Sequence, residues 1–409
     1  MAMSPAARVI ATVCAAQTLA QLGAFTFPAL LPGFFDEWHL SHSEAGWLSG
    51  IFFGAYCLSV PVLVTLTDRI PARRIYMFSV ALTTCSHLGM AMLADGFWSG
   101  MAFRTLAGVG WAGTYMVGLR ALSDELEGAT RSRGVAMHAA SIGISGALSF
   151  LIAGISAGSL DWQWAFLLVS LGSLSALAIA WVAFPRRAPP PASGPPTALL
   201  DFRPVFRNRS AMAYSTGYLI HTWEMFVLRS WAVTFLVFAA GDVDPATLIL
   251  VPTMAAMFME LTGTVTSVAG NEAAVRIGRQ RWIFIVMFSS MVMACLVGFS
   301  SGWGYGPAII MLLVYNGLIY ADSSSLTAGA VGSADPSRRG ATLAVHGMLG
   351  YGGGFVGPVV MGVLLDALGG ESVTNWGLGF VHVALVVAIG PLALWWFKPK
   401  DLDGDRRSG

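Results

Sequence analysis

The sequence predicts an all-α, polytopic membrane protein with twelve transmembrane helices in two pseudo-symmetric six-helix bundles. Three observations support this class: the hydrophobic composition, a one-sided distribution of basic residues and an internal repeat. Of the 409 residues, 56% are hydrophobic and only 11% are charged, whereas about a quarter of the residues in a soluble domain are charged. So few charges cannot cover the surface of a soluble protein of this size. The composition therefore excludes a cytosolic enzyme, a disordered chain and a nucleic-acid binder with a basic face.

Twelve runs of mostly apolar residues are long enough to cross a bilayer, which takes about 20 residues in a helix. These predicted spans are residues 9–35, 43–67, 75–95, 98–122, 134–158, 161–184, 210–239, 246–270, 282–301, 305–334, 340–366 and 374–397. The first run is too long for a signal peptide and has no clear cleavage site, so we expect it to be retained as span one.

Outside these spans, Lys and Arg residues occur only in every second connection and at the termini, and therefore on one side of the membrane. Of the 23 Lys and Arg residues, 20 lie in these connections or at the termini. The charged residues of the opposite connections are all acidic. Because basic residues mark the cytoplasmic side, both termini are predicted to be cytoplasmic. We expect a multi-pass protein of a bacterial inner (plasma) membrane, with the lipid bilayer as its surroundings and no nucleic acid as a partner.

The longest non-apolar stretch, residues 185–209, is rich in proline and separates spans six and seven. We interpret it as a semi-rigid cytoplasmic linker. The predicted organisation is an N-terminal bundle at 1–184, this linker at 185–209, a C-terminal bundle at 210–397 and a cytoplasmic tail at 398–409.

The two halves repeat each other at an offset of about 207 residues. The segment from Arg69 to Arg74 follows span two, and the similar segment from Arg276 to Arg281 follows span eight. Repeated halves are typical of secondary transporters, in which substrate binds near the membrane midplane between the repeats.

Two motifs identify a family. The stretch Asp68-Arg69-Ile-Pro-Ala-Arg73-Arg74 resembles the loop signature between helices two and three of the major facilitator superfamily, with Val64 and Pro71 where glycines are usual. In span four, Arg104-Thr-Leu-Ala-Gly-Val-Gly is similar to the Arg-x-x-x-Gly-x-Gly motif of the same family. The resemblance covers essentially the whole chain and implies a transporter that works by alternating access.

The family resemblance also implies roles for residues in these motifs. Arg104 would face the central cavity and assist proton or substrate coupling. Asp68, Arg69, Arg73 and Arg74 would form a conformational latch, in which cytoplasmic charge pairs favour the outward-open state.

Charged side chains inside the predicted spans are the other candidate functional residues. A charge near the bilayer centre costs about 2.5–3.5 kcal/mol on insertion scales, so it needs a partner, a wetted cavity or a function. In span seven, His221, Glu224 and Arg229 share one helix face, and the imidazole can hydrogen-bond the Glu224 carboxylate. We expect His221 and Arg229 to contact substrate and Glu224 to couple protons, with a static polar clamp as the alternative.

Spans eight and ten carry the remaining candidates. Glu260 lies near the middle of span eight, and burial there favours a carboxyl that can carry a proton. Tyr315 and Asp322 in span ten lie seven residues apart on one face. We expect Tyr315 to contact substrate and Asp322 to couple protons, and an ion pair between Asp322 and an intramembrane arginine is the equal alternative.

The predicted function is secondary active transport of a small organic or inorganic anion, coupled to protons or another ion. Arginine suits this substrate because its planar fork binds both oxygens of a carboxylate or phosphate. The sequence has no nucleotide-binding signature, metal-ligand spacing or nucleophile–base pair, so we expect no cofactor, no metal site and no enzymatic activity. The alternative is a multidrug–proton antiporter, in which acids of the protein neutralise both Arg104 and Arg229. A transporter-like nutrient sensor is the third hypothesis.

Overall fold

The computed structural model describes residues 4–67, 69–184, 186, 202–243, 248, 250–335, 338–402 and 405. Its elements are the helices α1 (Pro5–Ala20), α2 (Thr26–Glu37), α3 (His42–Leu66), α4 (Ala72–Leu93), α5 (Phe97–Ala112), α6 (Tyr115–Ser123), α7 (Gly128–Ser159), α8 (Trp162–Ala183), α9 (Arg203–Arg207), α10 (Arg209–Ala240), α11 (Pro252–Ile277), α12 (Arg279–Ser300), α13 (Tyr305–Ala321), α14 (Ser323–Gly332), α15 (Arg339–Ala367), α16 (Val373–Val387) and α17 (Ile389–Phe397), with a short 3-10 turn at Ser301–Trp303. The predicted all-α polytopic fold class is confirmed.

Nine helical stretches within the described ranges are long and apolar enough to cross a membrane. Three of the predicted spans, numbers one, four and eight, are not among these nine stretches, and each has a local reason. Span one is divided into α1 and α2, and span four into α5 and α6, so each piece is short. Span eight is the continuous helix α11, whose mean hydropathy is lowered by Glu260 and by several threonines.

The helix breaks in spans four and ten occupy matching places in the repeat. Span four is interrupted at Gly113–Thr114, and span ten is interrupted at Asp322. The sequence separation between these two breaks is almost the same as the separation of about 207 residues between the two repeated loops. A broken helix inside a membrane leaves backbone groups to be satisfied locally, and the Thr114 hydroxyl donates to the Trp111 carbonyl at a distance of 2.9 Å.

The N-terminal unit comprises Met1–Leu30 and Ile51–Pro195. Its apolar core joins α1, α4, α6 and α8 through side chains that include Val13, Tyr76, Val117 and Ala176, all of them at most 1% exposed. Burial of such side chains is the main stabilising contribution within the bundle. Most of the predicted linker lies outside the described residues.

The C-terminal unit comprises Leu31–Gly50 and Pro196–Gly409. Its helices α10 and α15 approach so closely that a Cβ on Gly353 would lie 2.2 Å from the Leu219 carbonyl oxygen, and glycine allows such an approach. At the start of α3, the Asp366 carboxylate of α15 accepts hydrogen bonds from the His42 and Ser43 backbone amides at 3.0 and 2.8 Å. This carboxylate therefore caps the N-terminus of α3.

The chain folds back on itself after α17. The Asp405 carboxylate forms a bidentate ion pair with Arg279, with N–O distances of 2.7 and 2.9 Å. Both side chains are only 6% exposed. The same guanidinium also donates to the Asn271 side chain at 3.0 Å and to the Ser325 carbonyl at 3.2 Å. The tail thus neutralises a buried arginine of the repeated loop.

The Asp405→Asn variant should be less stable than the wild type by about 3 kcal/mol or more, because Arg279 would remain buried without its counter-charge. Thermal unfolding followed by tryptophan fluorescence in detergent measures the loss. The Glu272→Gln variant is the control, since Glu272 pairs with Arg276 through side chains that are 60% and 75% exposed, and an exposed pair contributes less than about 1 kcal/mol. Equal unfolding temperatures for the two variants would contradict the assignment.

Candidate functional site

The acidic and basic side chains predicted within spans seven, eight and ten meet inside the C-terminal unit. They come from α10, α11 and the junction of α13 and α14. All of them are at most 5% exposed: His221, Glu224, Arg229, Glu260 and Asp322. The tertiary structure arranges them as two oppositely charged pairs and one separate carboxyl.

The first pair joins His221 to Asp322. The His221 Nδ1 atom lies 2.9 Å from the Asp322 Oδ1 atom. Asp322 occupies the break between α13 and α14, where its carbonyl accepts from the Leu326 amide at 2.9 Å. Asp322 therefore pairs with a histidine from a neighbouring helix, and not with an intramembrane arginine, which was one of the two alternatives left open by the sequence.

The second pair joins Arg229 of α10 to Glu260 of α11 by a hydrogen-bonded ion pair. The guanidinium carbon also lies 5.3 Å from the ring centroid of Tyr320 and 5.6 Å from that of Phe226. Aromatic faces stabilise a cation in a dry environment. Arg229 thus has an acid and two aromatic neighbours within the protein.

Glu224 is separate from both pairs. Its carboxylate accepts a hydrogen bond from the Ser290 hydroxyl of α12, and it interacts electrostatically with Tyr315. The expected hydrogen bond between His221 and Glu224 does not form, because the two side chains face different neighbours of α10. His221 and Glu224, which the sequence places on one face of α10, therefore have different surroundings in the structure.

A second histidine adjoins this site. The Tyr218 ring stacks on His346 with a centroid distance of 4.1 Å and on His221 with a centroid distance of 5.6 Å. The His346 ring nitrogens lie 3.3 Å from the Ser215 and Thr327 hydroxyls. Sequence reasoning passed over Tyr218 and Ser290, since isolated polar residues in an apolar span carry no pattern that distinguishes them.

Arg104 lies in the N-terminal unit and is 3% exposed. Its guanidinium carbon is 4.7 Å from the ring centroid of Phe52 and 5.3 Å from that of Phe27. His87 lies close enough to interact with it electrostatically. Two aromatic rings therefore lie close to this arginine.

The loop residues after span two have different surroundings. Asp68 lies outside the described residues, and Arg69 and Arg74 are exposed. The Arg73 side chain donates to the Ala180 carbonyl at 3.1 Å and to the Trp181 carbonyl at the end of α8. A cation at this position interacts favourably with the carbonyl groups at the C-terminal end of α8.

Chemically, the site places a basic side chain next to an acid twice, as Arg229 beside Glu260 and His221 beside Asp322. The opposite charges of Arg229 and Glu260 cancel, so this guanidinium has its counter-ion within the protein. No cluster of three or more metal-ligating side chains occurs within the part of the chain that the structure describes.

Curated relatives match about half of this chain. Human protein spinster homolog 1 is 25% identical over 241 residues, which cover 56% of this chain and 46% of that protein. The chain thus spans about half the length of the curated relatives it matches.

Solved structures match over the full fold. A bacterial homolog of the human lysosomal transporter Spinster, in an inward-facing and occupied conformation, aligns with a TM-score of 0.80 and 14% identity over 100% of both chains. The nucleoside transporter NupG aligns with a TM-score of 0.76 and 15% identity, covering 97% of this chain and 100% of that one. At these identities the likeness shows the fold alone.

The family is shown by a match along most of the sequence. The model of the Major Facilitator Superfamily matches residues 13–326, and this range includes both motifs, the Arg229–Glu260 and His221–Asp322 pairs and the break in span ten. The resemblance found in the loop and span-four motifs is thereby confirmed. This multi-pass membrane protein belongs to the Major Facilitator Superfamily.

Proposed function

We propose that this protein is a secondary active transporter that works by alternating access and couples the movement of a small organic or inorganic anion to protons. The observation that carries the proposal is the buried Arg229–Glu260 pair. Membership of the superfamily supports the transport function, and the pair supports the coupling.

The coupling follows from competition for one guanidinium. While Glu260 is ionised, it neutralises Arg229 and excludes other anions from that cation. When Glu260 takes up a proton, Arg229 loses its counter-charge, and a substrate carboxylate or phosphate can replace it through two parallel hydrogen bonds. Because such coupling is reciprocal, a bound anion also favours protonation of Glu260. Proton and anion then move together.

Two further groups belong to the proposed site. His221 Nδ1 and Asp322 Oδ1 lie 2.9 Å apart, and Glu224 is a buried carboxyl beside Tyr315. We assign Asp322 and Glu224 as additional proton carriers and His221 and Tyr315 as contacts to the substrate. Arg104, which is surrounded by aromatic rings in the N-terminal unit, is proposed as a further contact to the anion.

The multidrug–proton antiporter is the second candidate. That reading expects the arginines to be neutralised by acids of the protein itself, and the Arg229–Glu260 pair meets this expectation in the C-terminal unit. A nutrient sensor would bind its ligand without carrying it across the membrane.

Ligand binding should separate these candidates. We expect carboxylates or inorganic anions to raise the unfolding temperature of the purified protein, and to do so more at pH 5.5 than at pH 7.5. A ligand at 100 times its dissociation constant adds about 2.7 kcal/mol, which a thermal-shift assay detects. Stabilisation by lipophilic cations alone would contradict anion transport and favour the exporter. Anion binding without flux into proteoliposomes would favour the sensor.

The Glu260→Gln variant should lose proton-driven uptake of the stabilising anion, by at least about tenfold, yet retain counterflow exchange. A neutral amide cannot bind and release the coupling proton, whereas exchange requires no net proton movement. Both activities are measured in proteoliposomes with and without an imposed pH gradient.

The matched control for this variant is Glu272→Gln, which removes an exposed carboxylate from the same helix. It should leave both activities unchanged. If Glu260→Gln accumulates the anion as well as the control does, Glu260 has a structural role and the proposed coupling is wrong.

We also propose that Asp68, Arg69, Arg73 and Arg74 act as a conformational latch on the transport cycle. The Asp68→Asn variant should change the counterflow rate severalfold, because weakening one charge pair shifts the equilibrium between conformations. The Arg8→Gln variant removes an exposed charge on the same predicted side and should exchange at the wild-type rate. Identical rates for both variants would rule out the latch.

A further inference from the structure

A groove on the surface of the N-terminal unit runs between α4 and α8. It has a volume of about 700 Å³, and Arg74 is the only charged side chain among those that line it. Its wall on α4 consists of Arg74, Met77, Phe78 and Ala81, whose spacing places them in one stripe of that helix. Five apolar side chains between Leu174 and Val182 form the matching stripe on α8. We refer to this feature as the α4–α8 groove.

The α4–α8 groove opens outwards from the bundle. Phe78 is 62% exposed, Trp181 63% and Val182 76%, and these residues lie in two helices that are long and apolar enough to cross a membrane. A large exposed apolar surface on a membrane-spanning helix contacts lipid. The acyl chains of the bilayer are therefore the apolar molecules to which this groove is open.

Small side chains make this surface concave. Ala81 on α4 and Ala178 on α8 are the smallest side chains that line the groove. In the second half of the chain, α12 begins and ends 207 residues after α4, and Phe288 takes the place of Ala81. Phe288 is 65% exposed, so a large ring is compatible with this position. The N-terminal unit thus leaves open a space that the repeat fills with a side chain.

The length of the groove fits one half of a bilayer. The α4 stripe from Arg74 to Ala81 rises about 10 Å, and the α8 stripe from Leu174 to Val182 rises about 12 Å, at about 1.5 Å per residue. The hydrocarbon of one leaflet is about 15 Å thick. An acyl chain that enters beside Arg74 would therefore lie along the groove within its own leaflet.

Positive charge is concentrated at the Arg74 end of the groove. Arg74 is exposed. The neighbouring Arg73 donates to the Ala180 carbonyl at 3.1 Å and lies 5.5 Å from the ring centroid of Trp181, so the C-terminal end of α8 adjoins the same end of the groove. Neither α4 nor α8 contains an acid. The segments 68–71 and 184–187, which precede α4 and follow α8, hold one acid and three further arginines: Asp68, Arg69, Arg186 and Arg187.

This distribution of charge specifies the headgroup of the lipid. Basic residues at the cytoplasmic ends of transmembrane helices attract anionic lipids, and tryptophan favours the level of the headgroups. The Arg74 end of the groove lies on the predicted cytoplasmic side and has Trp181 beside it. An apolar groove that ends in positive charge is the complement of a phospholipid with a net negative charge.

We propose that the α4–α8 groove binds an anionic phospholipid of the predicted cytoplasmic leaflet, with one acyl chain in the groove and the phosphate beside Arg74. A zwitterionic lipid would bind more weakly, because it brings a cation of its own to the same place. The binding does not depend on the transport function proposed above. The groove belongs to the N-terminal unit, whereas the Arg229–Glu260 and His221–Asp322 pairs belong to the C-terminal unit.

Native mass spectrometry of the purified protein in detergent measures lipid binding directly. The protein is titrated with dioleoylphosphatidylglycerol, which is anionic, and with dioleoylphosphatidylcholine, which is zwitterionic and has the same acyl chains. We expect the wild type to bind the anionic lipid at least about fivefold more tightly. Equal affinities for the two lipids would overturn the proposal.

The Arg74→Gln variant tests the headgroup contact. It should bind phosphatidylglycerol about fivefold more weakly than the wild type and phosphatidylcholine equally well. The matched control is Arg281→Gln, which removes an exposed arginine at the equivalent place of the repeat and should bind both lipids like the wild type. An equal loss in the two variants would indicate unspecific attraction to the basic side of the protein and would overturn the proposed site, as would no loss in Arg74→Gln.

The Ala81→Phe variant tests the acyl-chain contact without changing any charge. The ring should fill the groove and abolish the preference for phosphatidylglycerol, whereas binding of phosphate without an acyl chain would not require the groove. The control Ala102→Phe places the same ring at an exposed position of α5 and should keep the preference. A normal preference in Ala81→Phe would overturn the proposal.

The two variants also support each other. Ala81→Phe keeps the test valid if Arg74→Gln does not fold, and Arg74→Gln does the same for Ala81→Phe. Arg74 is one of the proposed latch residues, and Ala81→Phe leaves all of those residues intact. The lipid site and the latch are therefore tested separately.

Discussion

The requirement that buried charges be neutralised within the protein underlies the arrangement of the C-terminal unit. Arg229 pairs with Glu260 and His221 with Asp322, and all four side chains are almost fully buried. Removing such groups from water is costly, and their mutual attraction offsets that cost only when each cation has its anion close by. Each pair therefore contributes to holding α10 against α11 or against the α13–α14 junction.

In the transport mechanism proposed above, the same requirement would allow these pairs to couple a proton to an anion. The Arg229–Glu260 pair is neutral while its carboxylate is ionised. If a proton bound this carboxylate, the positive charge of Arg229 would remain, and an anion would be needed to neutralise it. In the proposed mechanism, binding of a proton and binding of an anion would be linked in this way without any direct contact between them. The aromatic rings of Tyr320 and Phe226 lie beside Arg229 and stabilise its charge.

The two units solve the problem of polar groups in a membrane differently. The C-terminal unit pairs acidic with basic side chains at and around the broken helix of span ten, whereas in the N-terminal unit the side chains of Gln17, Tyr76 and His138 pack around Gly118. Both units break the corresponding span, at Gly113–Thr114 and at Asp322. The two units thus share a break in the corresponding helix, whereas the polar side chains near the break differ between them.

The sequence by itself determined the membrane class, the helical spans, the family motifs and the set of intramembrane charges, because these depend on composition and order along the chain. The partner of each charge was decided by the tertiary structure alone: Asp322 meets His221 rather than an arginine, and Glu224 meets Ser290 rather than His221. The physical reason is that a partner depends on how each helix is rotated about its axis, and that rotation is set by packing against neighbouring helices.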